Sequence, residues 1–221
     1  MMSLTLIYVH YLLRFVNTLP YVACTYSSTS YTPARLHGPS PSAGTIHLGG
    51  CPVSEPRIWR LPHSRVCFVC GEENRCGLNV RFLTDGSRVW TTLVPRDIHM
   101  GYAGITHGGV LTAVLDETMG WAPAVLTGRF CMAVELRLEL RRSVPIGQEV
   151  TVVGEMTDIS RRIWEGRGEI RGADGTVYVR GSGRFMPMSR EQTEQVMDML
   201  IFDEGTVPRE ILSSGGPWQT S

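Results

Sequence analysis

The chain has 221 residues, of which 43% are apolar and 19% are charged, and this profile is typical of a globular protein with a buried core. Its formal net charge is zero, which argues against a general attraction to nucleic acid or to an anionic membrane. Every basic residue is arginine, so Schiff-base lysines, lysine general bases and P-loop lysines are excluded. The GxxxxGK[ST], HExxH and GxSxG motifs are absent as well.

The beginning of the chain differs in composition from the rest. The first acidic residue is Glu55, and an apolar run at 4–19 is interrupted by Arg14 and two other polar residues. This run is shorter than the roughly 18 apolar residues expected of a membrane-spanning helix, and a signal peptide would carry its positive charge before the run. We therefore expect residues 1–60 to be a flexible leader. An organelle-targeting segment and a membrane-associating helix stay open as alternatives.

The six cysteines are expected to be reduced thiols in the cytoplasm, because a chain of this length needs no disulfides and shows no signal peptide. Cys67 and Cys70 form a CxxC pair with His63 and Cys76 nearby, a set that resembles a Cys3His zinc site. A firm zinc assignment requires a second pair at this spacing, and the alternative is that both cysteines are small buried hydrophobes. We expect no metal and no cofactor.

Hydrophobic periodicity predicts the elements up to the middle of the chain. Alternation predicts strands at 78–82 and 89–94, joined by a turn at Asp85-Gly86, and glycines predict a loop at 96–106. Apolar residues at three- and four-residue spacing then predict a helix over 107–126, which Pro123 should kink or end.

After this helix, apolar and charged residues alternate strictly over 134–140, which predicts a strand with one solvated face. Three more strands are predicted at 148–159, 163–171 and 176–186, followed by a short helix at 189–201 and a disordered tail past Gly205. The order contains no repeated βαβ unit. We therefore predict an α+β fold in which an antiparallel sheet wraps around one central helix.

Two features of the central helix are candidates for chemistry. Thr106-His107-Gly108-Gly109 stands at its start, where unpaired N–H groups and the helix dipole favour an anion or a polarised carbonyl oxygen. The alternative is a flexible entry to the helix, with His107 as a cap. Asp116-Glu117 lies in mid-helix, where burying an unpaired carboxylate is costly. Helical spacing places Asp116 on a stripe of small and polar residues with Gly109, Thr112 and Gly120, while the alternative is a solvated face.

Residues 65–188 resemble the hotdog-fold acyl-CoA thioesterases, in particular the PaaI-like branch. The central part of the resemblance is the run 101–110, which contains His107-Gly108-Gly109, with Asp116 nine residues after the histidine. Flanking segments also resemble the family, namely Cys67–Gly71 with Asn74 and Gly77-Leu78, Val134-Glu135-Leu136, and Arg141–Gly147. The resemblance implies a hotdog domain at 61–188, followed at 189–221 by the short helix and the tail.

The resemblance also implies roles for individual residues. The Gly108 N–H would polarise the thioester carbonyl as an oxyanion hole, and Asp116 of a partner subunit would act as general base or nucleophile. His107 would organise the loop, and Glu117 would point to another side of the helix. The expected substrate-binding residues are Gly109, Thr112, Glu117 and His99. Gly101 and Ala133 depart from the pattern, because some relatives have Asn and Ser or Thr there.

The expected function is hydrolysis of an acyl-CoA or acyl-carrier-protein thioester to a free acid and a thiol. The expected assembly is a homodimer or a dimer of dimers, with no nucleic-acid or membrane partner. The alternative from another class is a hotdog module that binds acyl-CoA without hydrolysing it.

Overall fold

The computed structural model describes residues 57–216, so most of the predicted leader and the predicted tail at 217–221 lie outside the described residues. Within this range the strands are β1 Trp59–Arg60, β2 His63–Ser64, β3 Leu83–Thr84, β4 Arg88–Leu93, β5 Met100–Tyr102, β6 Ile105–Thr106, β7 Cys131–Leu140, β8 Val150–Asp158, β9 Trp164–Gly172, β10 Val177–Pro187 and β11 Leu200–Ile201. The helices are α1 Gly108–Thr127, α2 Arg190–Asp198 and α3 Arg209–Ser214, and a 3-10 turn spans Asp97–His99.

One antiparallel sheet of seven strands dominates this part of the chain, in the order β1-β3-β4-β8-β9-β10-β7. Two small two-stranded sheets, β11-β2 and β5-β6, lie beside it. Helix α1 packs against β4, β7, β8, β9 and β10 of the large sheet. The predicted α+β architecture, a sheet with one long helix against it, is confirmed. β7 is an edge strand, so one side of its backbone pairs with no strand among the described residues.

Glycines on the central strands let α1 lie close to the sheet. A Cβ atom added at Gly168 would lie 2.8 Å from Cδ1 of Leu115, and one added at Gly181 would lie 2.6 Å from Cδ2 of the same residue. Leu115 is fully buried between these strands. The close packing fixes the rotation of α1 and therefore the direction of Asp116, the next residue along the helix.

The predicted helix over 107–126 is confirmed to within a residue at each end, but Pro123 does not end it. A proline removes only its own N–H from the helical ladder. Thr127 adds a hydrogen bond across this turn, because its Oγ1 donates to the carbonyl oxygen of Pro123 at 2.8 Å. The helix ends at Gly128, whose φ of 68° lies in the left-handed region that favours glycine.

The predicted strand at 78–82 is wrong. Its backbone bonds to the CxxC turn instead, since the N–H of Leu78 donates to the carbonyl of Phe68 at 2.8 Å and that of Val80 to Val69 at 3.1 Å. Asn79 between them has a positive φ of 54°, which breaks the extended conformation. The hairpin turn is confirmed, with β3 and β4 on its two sides. The predicted loop at 96–106 contains the 3-10 turn and the short strands β5 and β6.

The prediction of disorder past Gly205 is wrong for the residues described there. Leu212 of α3 is fully buried, and Met197 and Val207 belong to the same core. Trp59, which the predicted boundary placed in the leader, is buried as well. These segments have too few apolar residues to show a period, and they are held by contacts with distant parts of the chain such as α1. No helix within residues 57–216 has the length and apolar character required to cross a bilayer.

Candidate active site

The loop before α1 is held by histidines on both sides. His107 is the N-cap residue of α1, and its Nδ1 accepts a hydrogen bond from the N–H of Gly109 at 2.9 Å. The N–H of His107 donates to the carbonyl oxygen of His99 at 2.8 Å. A Cβ atom added at Gly101 would lie 2.9 Å from Cα of His107, so a larger residue would push the loop away from the helix. The close approach gives a physical reason for glycine at this position.

Among residues 57–216 the N–H of Gly108 has no hydrogen-bond acceptor, in contrast to that of Gly109. As the first residue of α1 it has no intrahelical acceptor for its N–H, and it lies at the positive end of the helix dipole. The neighbouring N–H of Gly109 is already bonded to His107. Thr112 donates from Oγ1 to the carbonyl oxygen of Gly108 at 2.9 Å. The polar groups of Gly109 and Thr112 therefore bond within the helix start, and Gly108 offers the N–H for an incoming oxygen.

Asp116 lies on α1 about 12 Å further along the axis, at about 1.5 Å per residue. Its side chain is half-buried, and burial raises the pKa of its carboxyl above the ordinary range for aspartate. The nearby thiol of Cys131 in β7 has a pKa raised to about 12, by burial and by the charge of Asp116. Asp116 therefore stands beside the edge strand of the sheet. A carboxylate in this environment binds a proton more readily than one in water.

Glu117 faces the CxxC turn instead. Its Oε1 lies 3.8 Å from the thiol of Cys67 and 3.7 Å from that of Cys70, and both thiols are placed to donate to it. Burial, together with the charges of Cys67 and Asp116, raises the pKa of Glu117 to about 8. The hydrogen bond between the two thiols lowers the pKa of Cys67 and raises that of Cys70, where burial adds to the increase. The two adjacent carboxylates thus enter different surroundings.

The Cys3His set considered from the sequence does not assemble. The ring of His63 is buried, with Nε2 3.0 Å from Oε2 of Glu72 and Nδ1 3.7 Å from Oδ2 of Asp203. Cys76 is exposed. The third side chain beside Cys67 and Cys70 is instead that of Glu117, which sequence reasoning did not connect to the cysteines. The spacing within CxxC and a second acid beside Asp116 were the available signals, but nothing in the sequence placed them together.

His99 contributes to the site through its backbone. Its ring is only 2% exposed, and Nδ1 accepts a hydrogen bond from the N–H of Arg96 at 3.1 Å. Burial and the charge of Arg96 lower the pKa of His99, which favours a neutral ring. The ring thus supports the loop, and the carbonyl of His99 receives the N–H of His107.

Comparison with known proteins identifies the family of this region. Residues 103–179 match the family described as the thioesterase superfamily, and they include Gly108 and Asp116. These residues are thus similar to domains of that superfamily. The sheet and helix described above are its hotdog-type fold. A comparison with curated proteins finds no match.

Solved structures similar to the thioesterase domain include a crystal structure of a thioesterase superfamily protein, with 31% identity and a TM-score of 0.51. That match covers 54% of this chain and 59% of the other, so the chain spans somewhat more than half the length of that relative. A thioesterase from Haemophilus influenzae shows 18% identity over 54% of this chain and 85% of its own, with a TM-score of 0.49. A Streptococcus mutans protein bound to acetyl CoA shows 16% identity over 47% and 82%, with a TM-score of 0.44.

Proposed function

We propose that this protein hydrolyses an acyl-CoA or acyl-carrier-protein thioester to a free acid and a thiol. One observation carries the proposal: within a thioesterase-superfamily domain, the N–H of Gly108 opens α1 without an intrahelical acceptor, and the half-buried carboxylate of Asp116 lies on the same helix. These are the two groups that thioester hydrolysis needs, a donor for the carbonyl oxygen and a group that activates or replaces water. Assignment to the PaaI-like branch and to the cytoplasm stays a prediction.

In the proposed reaction, the thioester carbonyl oxygen accepts a hydrogen bond from the N–H of Gly108. Negative charge builds on this oxygen as the carbonyl carbon becomes tetrahedral, and the positive end of the helix dipole stabilises it. His107 supports this role indirectly, because its ring takes the neighbouring N–H of Gly109 and orients the first turn. His107 is therefore a positioning residue in this mechanism.

Asp116 provides the second group. As a general base it would take a proton from water while the oxygen of that water attacks the carbonyl carbon; the tetrahedral intermediate then breaks its C–S bond, and the departing thiolate receives the proton held by Asp116. As a nucleophile its carboxylate oxygen would attack the carbonyl carbon and expel the thiolate, which takes a proton from water, and a second water would then hydrolyse the acyl-enzyme anhydride to the free acid and the carboxylate. The raised pKa of Asp116 favours the first role, since a carboxylate that binds protons more tightly is a stronger base.

The distance between the two groups implies a shared site. Nucleophile and carbonyl carbon must approach to about 3–3.5 Å, whereas Gly108 and Asp116 of one chain are about 12 Å apart along α1. One chain therefore supplies the donor and another supplies the carboxylate. We propose a homodimer, or a dimer of dimers, in which each active site combines Gly108 of one subunit with Asp116 of its partner.

The edge strand β7 supports this assembly. Its apolar residues were expected to face the core, yet Val134 is 53% exposed and Leu140 is 58% exposed in the single chain. An unpaired strand edge with exposed apolar side chains is a surface that proteins normally cover. Leu140 also lies next to the proposed site, since a Cβ atom added at Gly108 would lie 3.1 Å from its Cδ1. A second copy on β7 would cover this surface beside the start of α1.

The proposal is tested by thiol release from a panel of short, medium, long and aryl acyl-CoA substrates. Asp116→Asn should lower turnover by at least about a hundredfold while substrate binding and the fold are kept. Asp198→Asn is the matched control, because it makes the same chemical change on α2, on an exposed side chain paired with Arg209. Thioester binding without thiol release by the unaltered protein would favour the non-catalytic acyl-CoA-binding module. Unchanged turnover in Asp116→Asn would remove this residue from the mechanism.

A further inference from the structure

The mechanism leaves one cluster of reactive side chains unused. Cys67 and Cys70 come from the turn between β2 and β3, and Glu117 comes from the middle of α1. Their ligand atoms, two sulfurs and one carboxylate oxygen, all lie within 4.8 Å of one another. Cys70 is buried, and the other two residues are half-buried. Residues almost fifty positions apart in the chain thus place three metal-ligand atoms around one small volume.

The spacing of these atoms agrees with one side of a coordination tetrahedron. For Zn–S bonds of about 2.3 Å and Zn–O bonds of about 2.0–2.2 Å, tetrahedral angles give S···O edges of about 3.6 Å. The observed distances from Oε1 of Glu117 to the two sulfurs are 3.8 Å and 3.7 Å. An ion could therefore be coordinated by all three groups after movements of a few tenths of an ångström.

The backbone of the turn already points its donors at the sulfurs. The N–H of Val69 lies 3.3 Å from Sγ of Cys67, and the N–H of Ser64 lies 3.4 Å from Sγ of Cys70. Such hydrogen bonds orient ligating thiolates and reduce their charge. The turn is also closed tightly, since a Cβ atom added at Gly71 would lie 2.5 Å from the backbone nitrogen of Cys67. The ligands are thus held in place before any ion binds.

The donor set favours one class of metal. Two thiolates are soft ligands that select zinc over magnesium and calcium, which prefer oxygen ligands alone. Two thiolates and a carboxylate carry three negative charges, of which Zn²⁺ neutralises two. Arg81 brings a positive charge to the same turn, because its Nη1 donates to the carbonyl oxygen of Cys70 at 2.9 Å. The charges near the cluster are therefore close to balanced when the ion is present.

We propose that Cys67, Cys70 and Glu117 form a Zn²⁺ site, with a water molecule as the fourth ligand. The ion would link the CxxC turn to α1 through Glu117, the residue after Asp116, and so fix the position of the helix relative to the turn. It takes no part in the proposed hydrolysis, which needs only Gly108 and Asp116. This proposal departs from the sequence-based expectation of no metal, because the fold brings Glu117 to the two thiols and the sequence did not place these groups together.

The test uses the full chain and measures metal rather than activity, so that its result is independent of the proposed function. Protein expressed in zinc-supplemented medium is expected to contain about one zinc per chain by elemental analysis. After chelation, Co²⁺ should restore binding and produce near-ultraviolet thiolate-to-cobalt charge-transfer absorption. Cys67→Ser and Glu117→Gln should each weaken metal affinity by at least about tenfold, with circular dichroism showing that the variants are folded.

Cys76→Ser is the matched control, because Cys76 is an exposed cysteine of the same segment outside the cluster, and its metal content should equal that of the unaltered protein. Three results would overturn the proposal. The first is a purified protein that holds no zinc and whose reduced form gives no charge-transfer absorption with Co²⁺. The second is zinc whose affinity is unchanged in both Cys67→Ser and Glu117→Gln. The third is a Cys67–Cys70 disulfide that re-forms in place of metal binding after reduction.

Discussion

Mixing two inactive variants provides the sharpest test of the shared active site. The perturbations are Asp116→Asn, which removes the carboxylate, and Gly108→Val, which fills the space in front of the oxyanion donor. A Cβ atom added at position 108 would lie 3.1 Å from Leu140 Cδ1, so the two methyl groups of valine are expected to crowd the start of α1. Each variant alone should form dimers in which both sites lack a required group.

The expected recovery follows from the distance along α1. Because Gly108 and Asp116 of one chain are about 12 Å apart, each site of the proposed dimer is expected to draw on both chains. Random reassortment of equal amounts makes half of the dimers mixed, and each mixed dimer has one intact site and one site with both substitutions. The mixture should therefore regain up to about a quarter of the unaltered activity.

The assay is thiol release after the two variants are unfolded together and refolded. The matched control mixes Asp116→Asn with the double variant Gly108→Val/Asp116→Asn, which has the same substitutions but no intact carboxylate in either chain. This control should stay inactive. Recovery that never exceeds the control, or a fully active monomer in sedimentation analysis, would refute the reasoning that one chain cannot supply both groups.

Two further predictions concern stability. Burial alone would raise the pKa of Asp85, but hydrogen bonds from the backbone N–H groups that follow it outweigh this and lower the pKa to about 2. The ionised carboxylate therefore contributes about 2 kcal/mol to the free energy of unfolding above about pH 4, and this contribution is lost as the pH falls toward 2. In urea titrations, the free energy of unfolding of Asp85→Asn should fall less than that of the unaltered protein between pH 5 and about pH 2.5. An identical pH dependence would contradict this. Deleting residues 1–56 should leave a folded, active protein, whereas deletion through residue 60 removes the buried Trp59 and should lower the free energy of unfolding by about 3–5 kcal/mol. Equal melting temperatures for the two truncations would show that β1 adds no stability.

The sequence alone determined the elements in which apolar residues recur with a regular period. The period of 3–4 residues located α1, and the period of two located β8, β9 and β10, because each of these elements buries a face that many residues share. The same period located β7, although its apolar residues Val134 and Leu140 are exposed in the single chain. The two glycines that begin α1 and the two carboxylates within it were visible for another reason. Two adjacent glycines are unusual in a helix because glycine loses the most conformational freedom on ordering, and a charged pair is unusual in an apolar helix.

Tertiary structure decided what each short or isolated feature contacts. The segment 78–82 has the alternation of a strand, but it bonds to the CxxC turn, and the polar-looking α3 is ordered because Leu212 is buried against the core. Asp116 and Glu117 are adjacent in sequence, yet one lies near β7 and the other lies against two thiols. A step of one residue rotates a helix by about 100°, so the packing of Leu115 between glycine-containing strands decides where each carboxylate points. That rotation depends on contacts between residues distant in the chain, and no local pattern of residues records it.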